Sequence, residues 1–171
     1  MAVEGTAVTK SESRTASRVT RLQLRTEKAR VLAREPLTVA TGTSLRDALD
    51  QMRSRGGEAV LVMSGEGLAG ILTERDVLTR ILGRDLDASL PIDEFMTVSP
   101  HALNADAPLF EVMQAMEQGH YRNVPLIDDS GKVVGLLRQQ DLLEYVAEAF
   151  PEEILNLPPR PHQLMEEPEG A

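Results

Sequence analysis

Two short segments of the sequence place a carboxylate one turn into a helix that directly follows a strand. They are Thr73-Glu-Arg-Asp76 and Arg138-Gln-Gln-Asp141, at equivalent positions 65 residues apart. A carboxylate placed in this way can accept hydrogen bonds from sugar hydroxyls, as the acidic residue of dinucleotide-binding folds does. The neighbouring helix N-terminus favours an anionic group such as phosphate. The chemistry indicated is recognition of a small polar ligand.

The same residues also have a purely structural interpretation. Thr73 and Asp76 are spaced as a capping box, in which the threonine caps the helix and the aspartate returns the hydrogen bond. Arg138 cannot cap in this way, so Asp141 lacks that reason for its place, although the helix dipole favours an acidic residue in any first turn. Helix capping therefore stays open as an alternative to ligand binding.

The rest of the composition excludes several kinds of site. The sequence has no cysteine, which removes a thiolate nucleophile, a disulfide framework and a cysteine-based zinc site. Its histidines, His101, His120 and His162, are scattered without metal-ligand spacing. There is no P-loop, dinucleotide GxGxxG motif or supported Ser–His–Asp set. We predict that the chain is not an enzyme and needs neither a metal nor an obligatory cofactor.

Both segments belong to an internal duplication. Leu68–Leu78 aligns with Val133–Leu143 at an offset of 65, with glycine on glycine and aspartate on aspartate. The strand that begins at Ala59 aligns with Val124 at the same offset, and residues further upstream align at 64. This change of offset predicts a one-residue insertion just before the second copy's strand. The predicted divisions are a disordered arm at 1–18, a helix or linker at 19–34, repeats at 35–90 and 91–150, and a Pro/Glu-rich tail at 151–171.

Each repeat has the pattern of a β-α-β-β-α unit. Apolar residues at i, i+3, i+4 and i+7 predict the first helix, and glycine-containing turns separate the second and third strands. Because a three-stranded sheet with both helices on one face leaves its other face uncovered, the two units must pack against each other. The sequence therefore predicts an α/β (α+β) fold of two repeats packed about a pseudo-twofold axis, with a cleft at their boundary.

The doubled pattern resembles the CBS domain family, whose repeats contain Gly-x-apolar-Thr/Ser-x-x-Asp. Here Gly70-Ile-Leu-Thr-Glu-Arg-Asp76 and Gly135-Leu-Leu-Arg-Gln-Gln-Asp141 carry the resemblance, while Pro91–Pro100 looks like the opening of a second repeat. The resemblance covers roughly residues 34–150 and implies a tandem pair, or Bateman module. Such a module binds an adenosine-containing regulatory ligand, for example AMP, ADP, ATP or S-adenosylmethionine.

Carried over residue by residue, the resemblance implies two unequal ligand sites. The first would comprise Thr38, Ala59, Val60, Thr73 and Asp76, with Thr73 and Asp76 as the ribose-binding pair. The second would comprise Ala102, Tyr121, Arg122, Asn123, Pro125, Arg138 and Asp141. Arg122 falls where the family often has a cationic phosphate contact, and Gly57 stands at that position in the first repeat. Arg138 departs from the pattern, and the sequence leaves open whether it clashes with a ribose or reaches a phosphate.

The distribution of charge along the sequence indicates which kinds of partner to expect. The net charge is −9, yet residues 1–34 are basic and the remainder is acidic. Because the basic residues are interleaved with other types, we expect an arm that lies on the acidic body, and nucleic-acid binding is not expected. The apolar runs are far shorter than the roughly 20 residues of a membrane span, and no signal peptide opens the sequence. We expect a cytoplasmic protein, and the resemblance implies a homodimer built through helical faces and an effector protein.

Two functions stay open on the sequence. One is a regulatory module that binds an adenine nucleotide between its repeats, as in energy sensing, and modulates a partner. The other is a ligand-free structural module that recruits a partner through its arm and tail. Arg138 and Ala102 favour the second function for the second site, whereas Thr38, Thr73 and Asp76 disfavour it for the first.

Overall fold

The computed structural model describes residues 23–149. The predictions for the arm at 1–18 and for the tail at 151–171 lie outside these residues. The strands are β1 (Thr38–Ala40), β2 (Ala59–Ser64), β3 (Gly67–Thr73), β4 (Thr97–Val98), β5 (Leu103–Asn104), β6 (Asn123–Ile127) and β7 (Val133–Arg138). The helices are α1 (Leu45–Arg55), α2 (Glu74–Asp76, continued by a π-helical turn at Val77–Ile81), α3 (Leu109–Gly119) and α4 (Gln139–Ala149). The predicted β-α-β-β-α order therefore occurs twice, which confirms the fold class.

Local sequence explains where the first helix begins, ends and packs. The hydroxyl of Ser44 accepts a hydrogen bond from the backbone N–H of Asp47 and so caps α1. Leu45, Ala48 and Met52 recur at helical spacing and are buried. Gly56 follows with φ of 59°, a left-handed conformation that ends the helix and that glycine adopts without strain.

The strands form two sheets, one for each repeat. In the first sheet β1 pairs parallel with β2, β2 antiparallel with β3, and β3 antiparallel with β4. In the second sheet β5 pairs parallel with β6, and β6 antiparallel with β7. A buried apolar cluster of Ala59, Leu61, Ile71 and Leu136 joins residues of both sheets. The two repeats therefore share a core between their sheets.

The segment that precedes each repeat packs on the other repeat. Strand β4 lies at the start of the second repeat in sequence, yet it pairs with β3 of the first. Conversely, Arg34 and Leu136 exchange two backbone hydrogen bonds of 2.9 Å each. A Cβ on Gly135 would lie 2.8 Å from Ala33 Cβ, and one on Gly70 would lie 3.0 Å from the carbonyl oxygen of Thr97. The repeated glycine is thus explained by the close passage of the exchanged segment.

The segment predicted as a helix or linker at 19–34 is not one continuous helix over its described part. Only residues 23–26 are helical, and a separate 3-10 helix follows at Ala29–Leu32. The first two backbone N–H groups of this 3-10 helix donate to the carbonyl oxygens of Ala107 (2.8 Å) and Ala105 (2.9 Å). Docking on the second repeat therefore takes the donors that a continuous helix would use.

The described end of the basic arm lies on the acidic body, as expected. Lys28 Nζ is 3.1 Å and an Arg30 guanidinium nitrogen 2.6 Å from the carboxylate of Asp106. The guanidinium of Arg25 lies over the Phe110 ring, 4.9 Å from its centroid. These cations face side chains of the same molecule.

The strand pairing places the inserted residue at a different position from the predicted one. Val62 pairs with Gly70 and Leu126 pairs with Gly135, so β2 and β6 are equivalent at an offset of 64 while β3 and β7 are equivalent at 65. The additional residue therefore lies in the turn between β6 and β7, not before β6. Tight turns on the surface accept an inserted residue more readily than a buried strand does.

This correction changes the residue that is equivalent to Arg122. The carbonyl oxygen of Glu58 accepts from the N–H of Glu74, and that of Arg122 accepts from the N–H of Gln139, the first residues of α2 and α4. Glu58, rather than Gly57, therefore occupies the position of Arg122 in the first repeat. A carboxylate stands there instead of a cation.

Candidate functional site

A cleft between the two repeats, cleft 1, has a volume of about 370 Å³. The end of β3 and the start of α2 form one wall, and the segments before β5 and before β6 form the other. The residues that line it are Glu58, Ile71, Thr73, Glu74, Arg75, Asp76, Thr97, Ser99, Pro100, His101, Gly119, His120, Tyr121, Arg122 and Asn123. The first repeat contributes three acidic residues and Arg75, and the second repeat contributes the aromatic residues and Arg122.

Thr73 and Asp76 form the capping box that the sequence indicated. Asp76 Oδ2 accepts from Thr73 N at 2.9 Å and from Thr73 Oγ1 at 2.7 Å, and Asp76 N donates to Thr73 Oγ1 at 3.4 Å. Asp76 Oδ1 accepts from the exposed side chain of Arg80 at 2.7 Å. The Asp76 side chain is 18% exposed and lines the cleft. The capping role is confirmed, and the carboxylate stays within reach of a ligand.

An aromatic pair forms the opposite wall of cleft 1. The rings of His101 and Tyr121 stack with centroids 5.9 Å apart and an angle of 17° between their planes. Tyr121 packs directly over Gly119, where a Cβ would collide with the ring. Arg122 follows Tyr121 and also lines the cleft. The wall thus offers a flat apolar surface beside a cation.

Backbone strain is concentrated at this cleft. Within residues 23–149 the non-glycine residues with positive φ are Ser99 (47°) and His120 (53°), and both line cleft 1. His120 ends α3 at the position that Gly56 holds after α1. Non-glycine residues in left-handed conformations cost about 1 to 3 kcal/mol and cluster at functional sites. This strain supports the assignment of cleft 1 as the functional site.

The pseudo-twofold axis relates cleft 1 to a second cleft, cleft 2, with a volume of about 270 Å³. Here the roles of the repeats are reversed, because β7 faces the segments before β1 and β2. The residues that line it are Arg34, Glu35, Pro36, Leu37, Arg55, Gly56, Gly57, Glu58, Ala59, Asn123, Leu136 and Arg138. Glu58 and Asn123 line both clefts.

Asp141 stands behind cleft 2 in a network of ion pairs. Arg138 donates to both of its oxygens, from Nε to Oδ2 at 2.8 Å and from a terminal nitrogen to Oδ1 at 2.7 Å. Arg34 adds bonds to Oδ1 at 2.8 and 2.7 Å. A terminal nitrogen of Arg138 also lies 3.6 Å from a Glu58 oxygen. Asp141 is only 5% exposed, so its carboxylate is taken up within the protein.

The two arginines hold the pKa of Asp141 at about 2, below its ordinary 3.8, chiefly through the Arg138 hydrogen bonds and against the opposing effect of burial. A carboxyl whose folded pKa is lowered stabilises the folded state above its unfolded pKa, and this stability is lost as the pH falls through the folded value. The shift corresponds to roughly 2 kcal/mol. We call the Arg34, Asp141, Arg138 and Glu58 side chains the cleft 2 network.

We expect the free energy of unfolding to fall by roughly 2 kcal/mol from this group as the pH decreases from about 5 to about 2. Urea unfolding at a series of pH values, followed by circular dichroism, measures it. Asp141→Asn is the reference, since the difference in pH dependence between the two proteins isolates the Asp141 contribution. Parallel curves for both proteins would contradict the prediction.

The structure regroups the residues that the sequence assigned to two sites. Thr73 and Asp76 share cleft 1 with Tyr121, Arg122 and Asn123 from the other repeat. Ala59 and Arg138 share cleft 2, and Asp141 lies behind it. Thr38, Val60, Ala102 and Pro125 line neither cleft, and Val60 and Pro125 are fully buried strand residues. The expected grouping by repeat therefore differs from the lining of the clefts, each of which is built from both repeats, and the assignment of these residues to a ligand stays a prediction.

Sequence reasoning did not select several residues that face the clefts. Arg75, Ser99, His101 and His120 line cleft 1, and Arg34 joins the cleft 2 network. The signal that was available is the repeated glycine, since a glycine at the same strand position in both copies indicates that another segment passes close by. That segment is the one that leads into the other repeat.

Two absences within residues 23–149 concern membrane spans and metal sites. Within this range no helix has the length and apolar character needed to cross a membrane. The same residues contain no group of three or more histidine or acidic side chains placed to hold a metal ion.

Comparison with known proteins agrees with this architecture. The CBS domain family model matches residues 29–83 and 92–148. A CBS domain-containing protein of Arabidopsis thaliana is 35% identical over 103 residues, which are 59% of this chain and 19% of that protein, so the match spans about a fifth of its length. A putative signal-transduction protein with CBS domains from Burkholderia ambifaria matches with 29% identity and a TM-score of 0.62, covering 68% of this chain and 85% of that one.

A CBS domain protein of Pyrobaculum aerophilum, solved in complex with AMP, has the same fold at 17% identity and a TM-score of 0.63, covering 71% of this chain and 99% of that one. Two matched repeats, two sheets and two clefts related by a pseudo-twofold axis lead to one conclusion. The chain belongs to the CBS domain family and contains two CBS domains in tandem.

Proposed function

We propose that this module binds an adenosine-containing nucleotide in cleft 1 and thereby modulates a partner protein. The observation that carries the proposal is the meeting of Thr73 and Asp76 from one repeat with Tyr121 and Arg122 from the other in a single cleft. A carboxylate, a flat aromatic wall and a cation match the ribose, base and phosphate of a nucleotide in chemical character. The AMP found with the Pyrobaculum aerophilum protein supports this ligand class.

Each part of the ligand has a counterpart in the cleft. Asp76 accepts from the ribose hydroxyls, and the partly exposed Arg80 contact gives way because exposed ion pairs contribute little. The purine lies between Ile71 on one wall and Tyr121 on the opposite wall. Arg122 and the exposed Arg75 supply positive charge for phosphate in a chain whose net charge is −9. Local cations, rather than the overall field, therefore hold the anion.

Regulation follows from the position of cleft 1 between the repeats. A ligand that contacts both repeats stabilises one relative arrangement of them, and it shifts the activity of an effector that distinguishes the two arrangements. Competition between AMP and ATP for the cleft would make the module an energy sensor. The effector is a separate protein or another part of a longer chain, and we place the module in the cytoplasm, where these nucleotides are abundant.

Isothermal titration calorimetry with AMP, ADP, ATP and S-adenosylmethionine tests the proposal on folded protein. CMP serves as a matched control, because it keeps the ribose and phosphate and changes the base. We expect saturable binding of at least one adenosine compound and weaker binding of CMP. Failure of all four adenosine compounds to bind would overturn the proposal and favour the ligand-free interaction module.

Two exposed leucines support a homodimer formed through helical faces. Leu78 on α2 is 66% exposed and Leu143 on α4 is 62% exposed, and they occupy equivalent positions in the two repeats. Burying a large apolar side chain contributes about 1.5 to 3 kcal/mol, so an isologous pairing of these faces would bury four such side chains in a dimer.

We expect the double variant L78D/L143D to be monomeric under conditions in which the unmodified protein is dimeric, as measured by sedimentation velocity. The control is Val134→Asp, which adds a charge at an exposed strand position away from both helices. A dimer that survives both leucine substitutions would place the interface elsewhere.

A further inference from the structure

The two clefts differ at two equivalent positions. Where cleft 1 has Thr73 at the helix start, cleft 2 has Arg138, as the 65-residue offset between β3 and β7 shows. Where cleft 1 has the cation Arg122, the corrected register gives cleft 2 the carboxylate of Glu58. Cleft 2 therefore has an arginine in place of the capping threonine of cleft 1, and a glutamate in place of Arg122.

These two replacements complement each other within cleft 2. Arg138 reaches the Glu58 carboxylate at 3.6 Å and binds both oxygens of Asp141. In cleft 1 the equivalent Asp76 bonds only the cap hydroxyl and backbone of Thr73 and one exposed arginine. In cleft 2 the carboxylate of Asp141 is thus already occupied by hydrogen bonds from arginines. In cleft 1 the carboxylate of Asp76 can still be reached by a ribose.

The charge at one equivalent position is also reversed, since cleft 2 has Glu58 where cleft 1 has Arg122, although Glu58 lines both clefts and further arginines line cleft 2. The exclusion of a nucleotide therefore rests on the contacts of Arg138 and not on the net charge of the cleft. Displacing Arg138 from Asp141 would leave a carboxylate that is 5% exposed without its main partner. Breaking a buried ion pair by removing one partner is strongly unfavourable.

We propose that Arg138 is the residue that closes cleft 2 to nucleotides, so that each chain binds a single nucleotide, in cleft 1. The inference rests on the proposed function. The cleft 2 network joins Arg34, which precedes the first repeat, to α4 of the second repeat by side chains of the chain itself. The side of the axis that contains cleft 2 is therefore held together by ion pairs within the chain. A nucleotide binds only on the side that contains cleft 1.

The test is the stoichiometry of AMP and of ATP binding per chain, measured by titration calorimetry on four proteins. We expect one nucleotide for the unmodified protein and none for Thr73→Arg, which brings the Arg138 arrangement into cleft 1. We expect two for E58Q/R138T, because this variant gives cleft 2 a capping hydroxyl and removes the acid. Glu58→Gln alone is the matched reference: since Glu58 lines both clefts, only the additional nucleotide bound by E58Q/R138T relative to this variant is attributed to Arg138. Circular dichroism and urea unfolding confirm that each variant is folded.

Every outcome decides between the alternatives. Two nucleotides on the unmodified protein, or binding retained by folded Thr73→Arg, would overturn the inference. One nucleotide on E58Q/R138T, beside one on the unmodified protein, would show that Arg138 is not what closes cleft 2. If the unmodified protein binds neither of these nucleotides nor ADP or S-adenosylmethionine, the proposed function fails, and the single site in cleft 1 fails with it. In that case binding by E58Q/R138T but not by Glu58→Gln would uphold only the closing of cleft 2 by Arg138, and its absence would overturn that as well.

Discussion

We expect Asp76→Asn to weaken binding of an adenine nucleotide about 10- to 100-fold. A hydrogen bond to a charged group contributes about 1.5 to 3 kcal/mol, which corresponds to this loss of affinity. The amide keeps an oxygen that can accept from Thr73, so the helix cap is largely retained while the charge that binds ribose hydroxyls is lost. The dissociation constant from titration calorimetry measures the effect.

Asp47→Asn is the matched control for this prediction. Asp47 stands in the first turn of α1, and its Oδ2 accepts from the capping hydroxyl of Ser44 at 2.8 Å, just as Asp76 accepts from Thr73 at 2.7 Å. Both substitutions should lower the free energy of unfolding by similar small amounts, on the order of 1 kcal/mol. Only Asp76→Asn should change nucleotide affinity. Equal affinities in both variants would reduce Asp76 to a capping residue.

The features that local chemistry determines were predictable from the sequence. The order of elements follows from helical spacing and glycine-containing turns, and the cap at Thr73 follows from the identity of residues three positions apart. Each of these depends on neighbours within a few residues.

The pairing of distant segments was not predictable in the same way. Nothing in the residues around Arg34 shows that its backbone bonds Leu136, because strand pairing is chosen by the packing of the whole molecule. That pairing brings the Arg34 side chain to Asp141. The grouping of site residues failed for this reason, since assignment by repeat assumes that each repeat completes its own site.

The position of the inserted residue shows a second limit of alignment. Apolar strand residues match almost equally well when shifted by one, so Ala59 could be aligned with Val124 although the structure matches it with Asn123. A shift of one residue exchanges the two faces of a strand. Because of this shift, the sequence alignment matched Arg122 with Gly57 instead of Glu58. The alignment therefore did not predict the glutamate in cleft 2.

We expect Asp141→Ala to lower the free energy of unfolding by about 2 to 4 kcal/mol, a larger loss than any other single substitution considered above. Removing one partner from a buried ion pair leaves the remaining charges without compensation, which costs about 3 to 5 kcal/mol when both are buried. Arg34 and Arg138 are more exposed than Asp141, so solvent recovers part of this loss. Urea unfolding at neutral pH measures the change.

A double-mutant cycle with Arg138 separates the ion pair from simple loss of packing. If the loss arises from an uncompensated guanidinium, D141A/R138A should be more stable than the sum of the single substitutions predicts, by about 1 to 3 kcal/mol. Asp76→Ala is the matched control at the equivalent position, and it should cost about 1 kcal/mol because its arginine partner is exposed. Equal losses for the two aspartates would mean that the cleft 2 network contributes no more than an ordinary helix cap. A larger loss at Asp141 that is coupled to Arg138 would mean that ion pairs within the chain stabilise the cleft 2 side of the axis. On the cleft 1 side, that stabilisation is left to a bound ligand.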